Sequence, residues 1–113
     1  MIIIQQNSTT NLSFYMPDYF PHIKTTDIIA AEITFGTGNA QVRKLWYSYN
    51  PFQSNANLNK ITNKLTTTIK PEDTIKWKYQ VPIQIRIKDK NQTTSVSHVF
   101  YGQIQATLSQ EEF

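Results

Sequence analysis

Apolar β-branched residues occupy every second position from residue 81 to residue 87, a pattern that suits one kind of backbone. The apolar set is Val81, Ile83, Ile85 and Ile87, and the set between them is Pro82, Gln84, Arg86 and Lys88. Side chains that alternate in this way lie in two sets, one in a core and one in water, as in a β-strand with one buried face. The same period recurs along most of the chain, and no apolar stripe has helical spacing. The sequence therefore predicts an all-β protein.

Further strands are predicted where β-branched and aromatic residues follow this period. The predicted strands are residues 2–5, 9–16, 28–35, 42–49, 58–69, 80–89 and 93–108. The last two form a hairpin around a polar turn, with a bulge expected at Gly102. Pro82 has no N–H to donate, so we expect it at a strand start or on an edge strand.

Turn residues separate these strands. Asn7 and Ser8 form a bend, and Gly36 to Asn39 form a turn between two strands. Residues 17–21 are predicted to be a loop, because two prolines four positions apart disfavour both a helix and a β-ladder. Residues 50–57 are predicted to be irregular. Residues 71–74 are a turn, with one short helical turn that starts at Pro71.

About seven or eight short strands at this spacing indicate an antiparallel, Ig-like β-sandwich. The 113 residues are interpreted as a single domain, residues 1–113. A partly open barrel is the alternative. Such barrels usually carry a helix between the third and fourth strands, and no good helix is found there.

The composition excludes several classes of protein. There is no cysteine, so neither a disulfide framework nor a thiolate metal site is possible. No apolar run has the roughly 20 residues that a membrane helix needs. The first ten residues, MIIIQQNSTT, have no basic region and no long apolar run, so we expect no secretion signal. The chain has 40 neutral polar residues, namely Asn, Gln, Ser and Thr. We expect them to take the place of charged residues on the outer faces of the strands.

The net charge of +3 is concentrated in residues 60–90, which carry +5. The candidate basic face consists of Lys60, Lys64, Lys76, Lys78, Arg86 and Lys88. Such a face could bind single-stranded nucleic acid. The favoured interpretation is that these cations keep outer strand faces soluble and protect sheet edges.

No catalytic constellation is found in the sequence. The histidines, His22 and His98, have neither a second histidine nor a glutamate at metal-ligand spacing. The adjacent carboxylates Glu72 and Asp73 lie where turn and capping residues are needed. We therefore expect a protein that is not an enzyme, with no catalytic residues, no cofactor and no metal.

Aromatic residues are the richest chemical signal. The candidate interface or stacking residues are Trp46, Tyr47, Tyr49, Phe52, Tyr19 and Phe20. In a regular strand, alternation sends either Trp46 or Tyr47 outward. Exposed aromatic side chains bind protein partners, sugar rings or bases, whereas buried ones fill the core and its rim. All of these interpretations remain open at this point.

The order of motifs resembles that of a known family. The motifs are IIQQNST at 3–9, LSF at 12–14, TDII at 26–29, EITF at 32–35, LTTTIKPEDTIK at 65–76, IQIRIKD at 83–89 and the terminal segments 96–99 and 104–108. This order resembles small β-sandwich structural proteins of tailed phages of low-GC Gram-positive bacteria, with the N-terminal domain of baseplate upper proteins as the nearest type. Residues 16–24 and 46–52 have no counterpart in it.

The resemblance implies a non-enzymatic virion protein of the tail, baseplate or capsid that acts through protein–protein assembly. Its expected partners are other virion proteins and further copies of the chain. We expect no membrane partner; nucleic acid is disfavoured as a partner, and a glycan stays open as one. Its expected location is the virion, after synthesis in the bacterial cytoplasm. A carbohydrate-binding module with an aromatic platform is the alternative function, and single-strand nucleic-acid binding is the second alternative.

Overall fold

The computed structural model describes residues 1–50 and 54–106. Nine strands lie in these residues: β1 Ile2–Gln5, β2 Thr10–Tyr15, β3 Ile28–Phe35, β4 Val42–Tyr47, β5 Ala56–Asn59, β6 Lys64–Ile69, β7 Gln80–Asp89, β8 Thr94–Val96 and β9 Phe100–Gln105. The helical elements are one short helix, α1 (Met16–Tyr19), and the 3₁₀ turns Thr25–Asp27, Gly38–Ala40 and Pro71–Thr74. The predicted all-β fold is confirmed.

The strands form two sheets. The larger sheet has the order β1-β9-β7-β3-β4, with β8 also paired to β7, and it curls into a half-barrel. The smaller sheet has the order β2-β6-β5. The fold thus combines a second sheet, as in the predicted sandwich, with the curvature of the alternative barrel. The prediction of a purely antiparallel arrangement is wrong at one place, because β1 runs parallel to β9.

The core lies between the two sheets and follows from the alternation of β7. Val81, Ile83, Ile85 and Ile87 are each no more than 1% exposed. From the smaller sheet, Phe14, Leu65 and Ile69 are buried to the same extent. Burial of one such side chain stabilises the folded state by about 1.5–3 kcal/mol, so these two faces supply much of the driving force for folding.

Pro82 lies inside β7, at the level where the neighbouring strand β3 has ended. Its carbonyl accepts the N–H of Gly36, one residue beyond the end of β3. Both backbone groups of a strand residue point to the same neighbour in an antiparallel sheet, so the nitrogen of Pro82 faces the place where β3 has already ended. Pro82 is the third residue of β7, which is a central strand. Because β3 has already ended at this level, that side of β7 is locally an edge, as predicted for Pro82.

Two predicted strands are each divided in the structure. Residues 58–69 form parts of β5 and β6, joined by a turn in which Asn63 has a φ of 60° and Ile61 is 93% exposed. Residues 93–108 form β8 and β9, and residues 107 and 108 lie outside the described part of the chain.

The break between β8 and β9 is a bulge at residues 97–99 rather than at Gly102. The pairs Ile83–Phe100 and Arg86–Val96 flank it, so the β8–β9 side contains one extra residue. The N–H of Ile85 donates to the Ser97 hydroxyl at 3.0 Å, in place of a backbone carbonyl. Gly102 instead lies within β9, where an added Cβ would come within 3.3 Å of Ile4 and Ile83.

Residues 17–21 are not wholly a loop, which corrects the prediction. Met16–Tyr19 form α1, closed by a hydrogen bond of 2.8 Å from the Phe20 N–H to the Met16 carbonyl. Pro17 lies in the first turn of this helix, where an N–H has no intrahelical partner and proline is tolerated. The short helical turn predicted at Pro71 is confirmed as the 3₁₀ turn Pro71–Thr74.

A buried ion pair joins that 3₁₀ turn to strand β4. Lys44 faces inward and is 6% exposed, and its Nζ lies 2.9 Å from Oδ2 of Asp73. The same oxygen accepts the Lys70 N–H, so Asp73 also caps the turn, as predicted from its position. An inward charge on an edge strand disfavours pairing with a foreign strand, since an added strand would bury the charge further.

The turn after β3 depends on a glycine. Gly36 has a φ of 82°, and an added Cβ would lie 2.7 Å from the Ala40 carbonyl oxygen and 3.0 Å from Nε1 of Trp77. That carbonyl accepts the indole N–H of Trp77 at 2.8 Å, and Trp77 stacks on Phe35 at 5.7 Å. Gly38 also has a positive φ, of 58°, but no atom would lie within 4 Å of its added Cβ.

We predict that Gly36→Ala lowers the free energy of unfolding by about 2–3 kcal/mol, because backbone strain and a clash with a backbone oxygen add together. Gly38→Ala is the matched control, with backbone strain alone and an expected loss of about 1 kcal/mol. Urea unfolding followed by tryptophan fluorescence measures both. Equal losses in the two variants would contradict the close approach at Gly36.

Candidate functional site

The six predicted aromatic residues do not form one platform. Trp46 and Phe20 are 6% and 5% exposed, so they belong to the core, and Tyr19 is half-buried. Tyr47 points outward and its ring lies 5.3 Å from that of Tyr49, which is 78% exposed. The prediction that one of Trp46 and Tyr47 faces outward is confirmed. Phe52 lies outside the described residues.

Tyr19 belongs to an aromatic cluster at one edge of the core. Its ring centroid lies 6.0 Å from that of Phe14 and 4.9 Å from that of Phe100, and His98 lies 6.0 Å from Phe100. Burial, with a smaller contribution from the charge of Asp18, raises the pKa of the Tyr19 phenol above its ordinary value of 10.0. The phenol is therefore neutral at physiological pH, and the cluster acts in packing.

The six predicted cations do not lie on one face. Lys76 and Lys78 precede β7, and Lys76 donates to the Asn39 carbonyl at 3.2 Å. Lys60 donates to the Thr26 carbonyl, next to the opposite end of β7. Since a ten-residue strand spans roughly 30 Å, these lysines lie at opposite ends of the molecule. Lys64 is on the smaller sheet, and only Arg86 and Lys88 project side by side from β7.

The outer face of the larger sheet carries a charged cluster that sequence reasoning missed. Glu32 of β3 pairs directly with Arg86 of β7, and it is diagonal to Arg43 of β4, which pairs with Thr34. Nε of Arg43 donates to Oε2 of Glu32 at 2.9 Å, and Nη2 of Arg43 contacts the same oxygen. Nη2 of Arg86 lies 3.2 Å from Oε1. The side chain of Glu32 is 12% exposed, whereas those of Arg43 and Arg86 are 51% and 53% exposed.

Opposing effects determine the pKa of Glu32. Its burial is the largest single effect and acts to raise its pKa. The hydrogen bond from Arg43, the charges of Arg86 and Arg43 and the Thr34 hydroxyl together outweigh burial and hold the pKa of Glu32 below its ordinary value of 4.5. The same hydrogen bond raises the pKa of Arg43. Glu32 is therefore ionised at neutral pH and holds two guanidinium groups in place.

A cavity of about 270 Å³ lies beside this cluster. Ala30 forms part of its floor, and the cross-strand neighbours of Ala30 are Tyr47 on β4 and Lys88 on β7. The small methyl group of Ala30 leaves space between these larger side chains. We call the group Glu32, Arg43, Tyr47, Arg86 and Lys88 the charged cluster.

The other side of the same outer face has no charged side chain. We call the outward residues of β1, β8 and β9 the neutral flank: Ile3, Gln5, Thr94, Val96, Tyr101, Gln103 and Gln105. Ile3, Val96 and Tyr101 are 48%, 53% and 54% exposed. Exposed apolar groups on a surface with few charged residues are typical of protein–protein contact surfaces. The neutral flank borders the charged cluster, since Val96 pairs with Arg86 and Thr94 pairs with Lys88.

The neutral flank ends at β1, whose outer edge differs from that of β4. Along β4, the Tyr47 N–H donates to the Ser54 hydroxyl and the Leu45 carbonyl accepts the Asn55 N–H, both at 3.0 Å, so this edge is covered. On β1, Gln6 donates to Gln105 of β9, and alternation therefore points the backbone groups of Ile3 outward. In the described part of the chain, no strand pairs with that side of β1.

Other kinds of site were sought in residues 1–50 and 54–106. No group of three or more His, Asp or Glu side chains there is arranged to hold a metal ion. No helix there is long and apolar enough to cross a membrane. No protein-family model matches the chain, and no curated protein matches it significantly.

We predict that Glu32→Gln lowers the free energy of unfolding by about 1 kcal/mol at pH 7, because it removes the shared partner of two arginines at a partly exposed site. Since the pKa of Glu32 is lowered by folding, its stabilisation is present above pH 4.5 and is lost as the pH falls through the folded pKa. The difference in the free energy of unfolding between wild type and Glu32→Gln should therefore shrink below pH 4.5. Urea unfolding at several pH values measures it.

Glu72→Gln is the matched control, since it removes an exposed carboxylate from the 3₁₀ turn. Its effect should stay within about 0.5 kcal/mol at every pH. A Glu32→Gln difference that does not change with pH would contradict the ionic role of Glu32.

Proposed function

We propose that this chain is a non-enzymatic structural subunit of a tailed-phage virion, and that it acts through protein–protein assembly. The observation that carries the assembly role is the neutral flank, with its exposed Ile3, Val96 and Tyr101. The association with a phage particle, in the tail, baseplate or capsid, comes from the order of sequence motifs. Its partners in the particle are other virion proteins and further copies of itself.

A second copy of this chain is the occupant that best suits the neutral flank. Two identical basic surfaces repel each other, and the chain has a net charge of +3. The neutral flank avoids this repulsion, because its apolar and amide side chains are self-complementary. Uncharged groups also cost less to remove from water than charged ones. A symmetric contact, in which the same residues meet from both copies, is the commonest form of homodimer.

The β1 edge allows a second contact between copies, side by side in one sheet instead of face to face. Backbone groups of Ile3 face away from β9 and are positioned to pair with an added strand. A second β1 placed against it would continue the larger sheet from one copy to the next. The covered edge of β4 and the inward charge of Lys44 disfavour the same pairing at the other end of the sheet.

We predict that the wild-type protein self-associates with rising concentration and that Tyr101→Lys weakens this association at least about tenfold. The reason is that two lysines would face each other across a contact that lacks acidic partners. Sedimentation velocity over a range of concentrations measures the association. The matched control is Tyr49→Lys, which adds the same charge at an exposed tyrosine outside the neutral flank.

A wild-type protein that stays monomeric at millimolar concentration, or equal association of both variants, would contradict the assembly role. A separate experiment tests the proposal that the chain is part of a virion. Mass spectrometry of purified phage particles from a host that expresses the gene should detect the chain, and its absence from such particles would remove this assignment.

A further inference from the structure

The charged cluster carries more positive charge than its ion pairs with Glu32 neutralise. Three cations, Arg43, Arg86 and Lys88, line the cavity, and Glu32 is its single carboxylate. The neutral flank has no charge to balance this excess. A local excess of about two positive charges attracts anions to this side of the sheet.

The two guanidinium groups keep donors available. A guanidinium has five N–H donors. Arg43 directs Nε and Nη2 toward Glu32, and Arg86 directs only Nη2. Within the described residues, Nη1 of each arginine has no protein acceptor. About half of each side chain is exposed, and both arginines line the cavity, so a ligand there has access to guanidinium donors.

Glu32 makes this arrangement rigid. Its carboxylate is largely buried and accepts hydrogen bonds from both arginines and from the Thr34 hydroxyl, the last at 3.2 Å. Side chains that are already held in place lose less conformational entropy when a ligand binds. The carboxylate thus orients two donor groups, and the excess charge remains available to a ligand.

The cavity is larger than a simple anion requires. Its volume of about 270 Å³ equals the liquid volume of roughly nine water molecules, which suits one ring-sized polar molecule. Tyr47 lies along one wall, and its ring is supported by that of Tyr49. An aromatic wall beside charged donors can hold a ring and its anionic substituent at the same time.

We propose that this cavity binds an anionic sugar unit, a single ring that bears a carboxylate or a phosphate group. The anionic group lies between the guanidinium groups of Arg43 and Arg86 and near the ammonium group of Lys88. The sugar ring packs on Tyr47. This site adjoins the proposed assembly surface, because Thr94 lines the cavity and Val96 pairs with Arg86. Its test does not depend on that surface, since binding of a free sugar requires no second copy.

The test is a titration of the full chain, followed by two-dimensional NMR, with glucuronic acid, glucose 6-phosphate, glucose and inorganic phosphate. One or both anionic sugars should shift the backbone amide signals of Ala30, Tyr47 and Lys88, and the stronger of the two identifies the anionic group. Glucose and inorganic phosphate should each bind at least about tenfold more weakly. Added salt should weaken the binding, since exposed charges are screened.

Arg86→Gln should weaken binding of the stronger sugar by about tenfold, the equivalent of one charge-assisted hydrogen bond. The matched control is Lys64→Gln, which removes one positive charge from the smaller sheet and should bind like the wild type. Circular dichroism verifies that both variants are folded. If Arg86→Gln does not fold, Lys88→Gln provides the same comparison.

Three results would overturn the proposal. The first is that neither anionic sugar shifts the signals of residues around the cavity. The second is that inorganic phosphate binds as tightly as the sugars, since the ring would then contribute nothing. The third is that Arg86→Gln and Lys64→Gln weaken binding equally, because the attraction would then depend only on net charge.

Discussion

The burial of one face of β7 determines how the rest of this chain is arranged. Val81, Ile83, Ile85 and Ile87 are almost completely removed from water, and β7 is paired with β3 on one side and with β8 and β9 on the other. A shift of one residue in any of these pairings would move apolar side chains to the solvent face, so the core fixes the register. The same register places Arg86 beside Glu32 and Pro82 beside Tyr101 on the outer face.

The outer face of the larger sheet therefore has two different halves. The charged cluster lies on β3, β4 and β7, where one carboxylate holds two arginines next to a cavity. The neutral flank lies on β1, β8 and β9 and has exposed apolar side chains and no charged residue of its own. It borders the charged cluster, since Val96 pairs with Arg86 and Thr94 pairs with Lys88. These halves suit different partners: a neutral surface suits contact with an identical copy, and a positively charged cavity suits a small anionic ligand. We propose both roles, and neither requires a chemical reaction at the protein.

Local patterns in the sequence predict much of the fold but little of the site. The alternation in residues 80–89, the turn at Gly36 and the 3₁₀ turn at Pro71 are visible locally, and all three are confirmed. The parallel pairing of β1 with β9 joins residues about 100 positions apart and leaves no local signal. The charged cluster likewise depends on the pairing of Glu32 with Arg86, so it could be found only after the strand order was known. Among the aromatic candidates, alternation predicts that Trp46 and Tyr47 face opposite sides, and the structure assigns Trp46 to the core.

Hydrogen–deuterium exchange at low and high protein concentration tests the assembly of copies through the neutral flank most directly, since it locates the contact on the chain. If copies meet there and pair along β1, exchange in peptides that cover residues 1–6 and 99–105 slows as the concentration rises. Exchange in a peptide around Tyr49, outside the flank, stays unchanged. Slowing that is confined to other parts of the chain, or no slowing at any concentration, would contradict assembly through this surface.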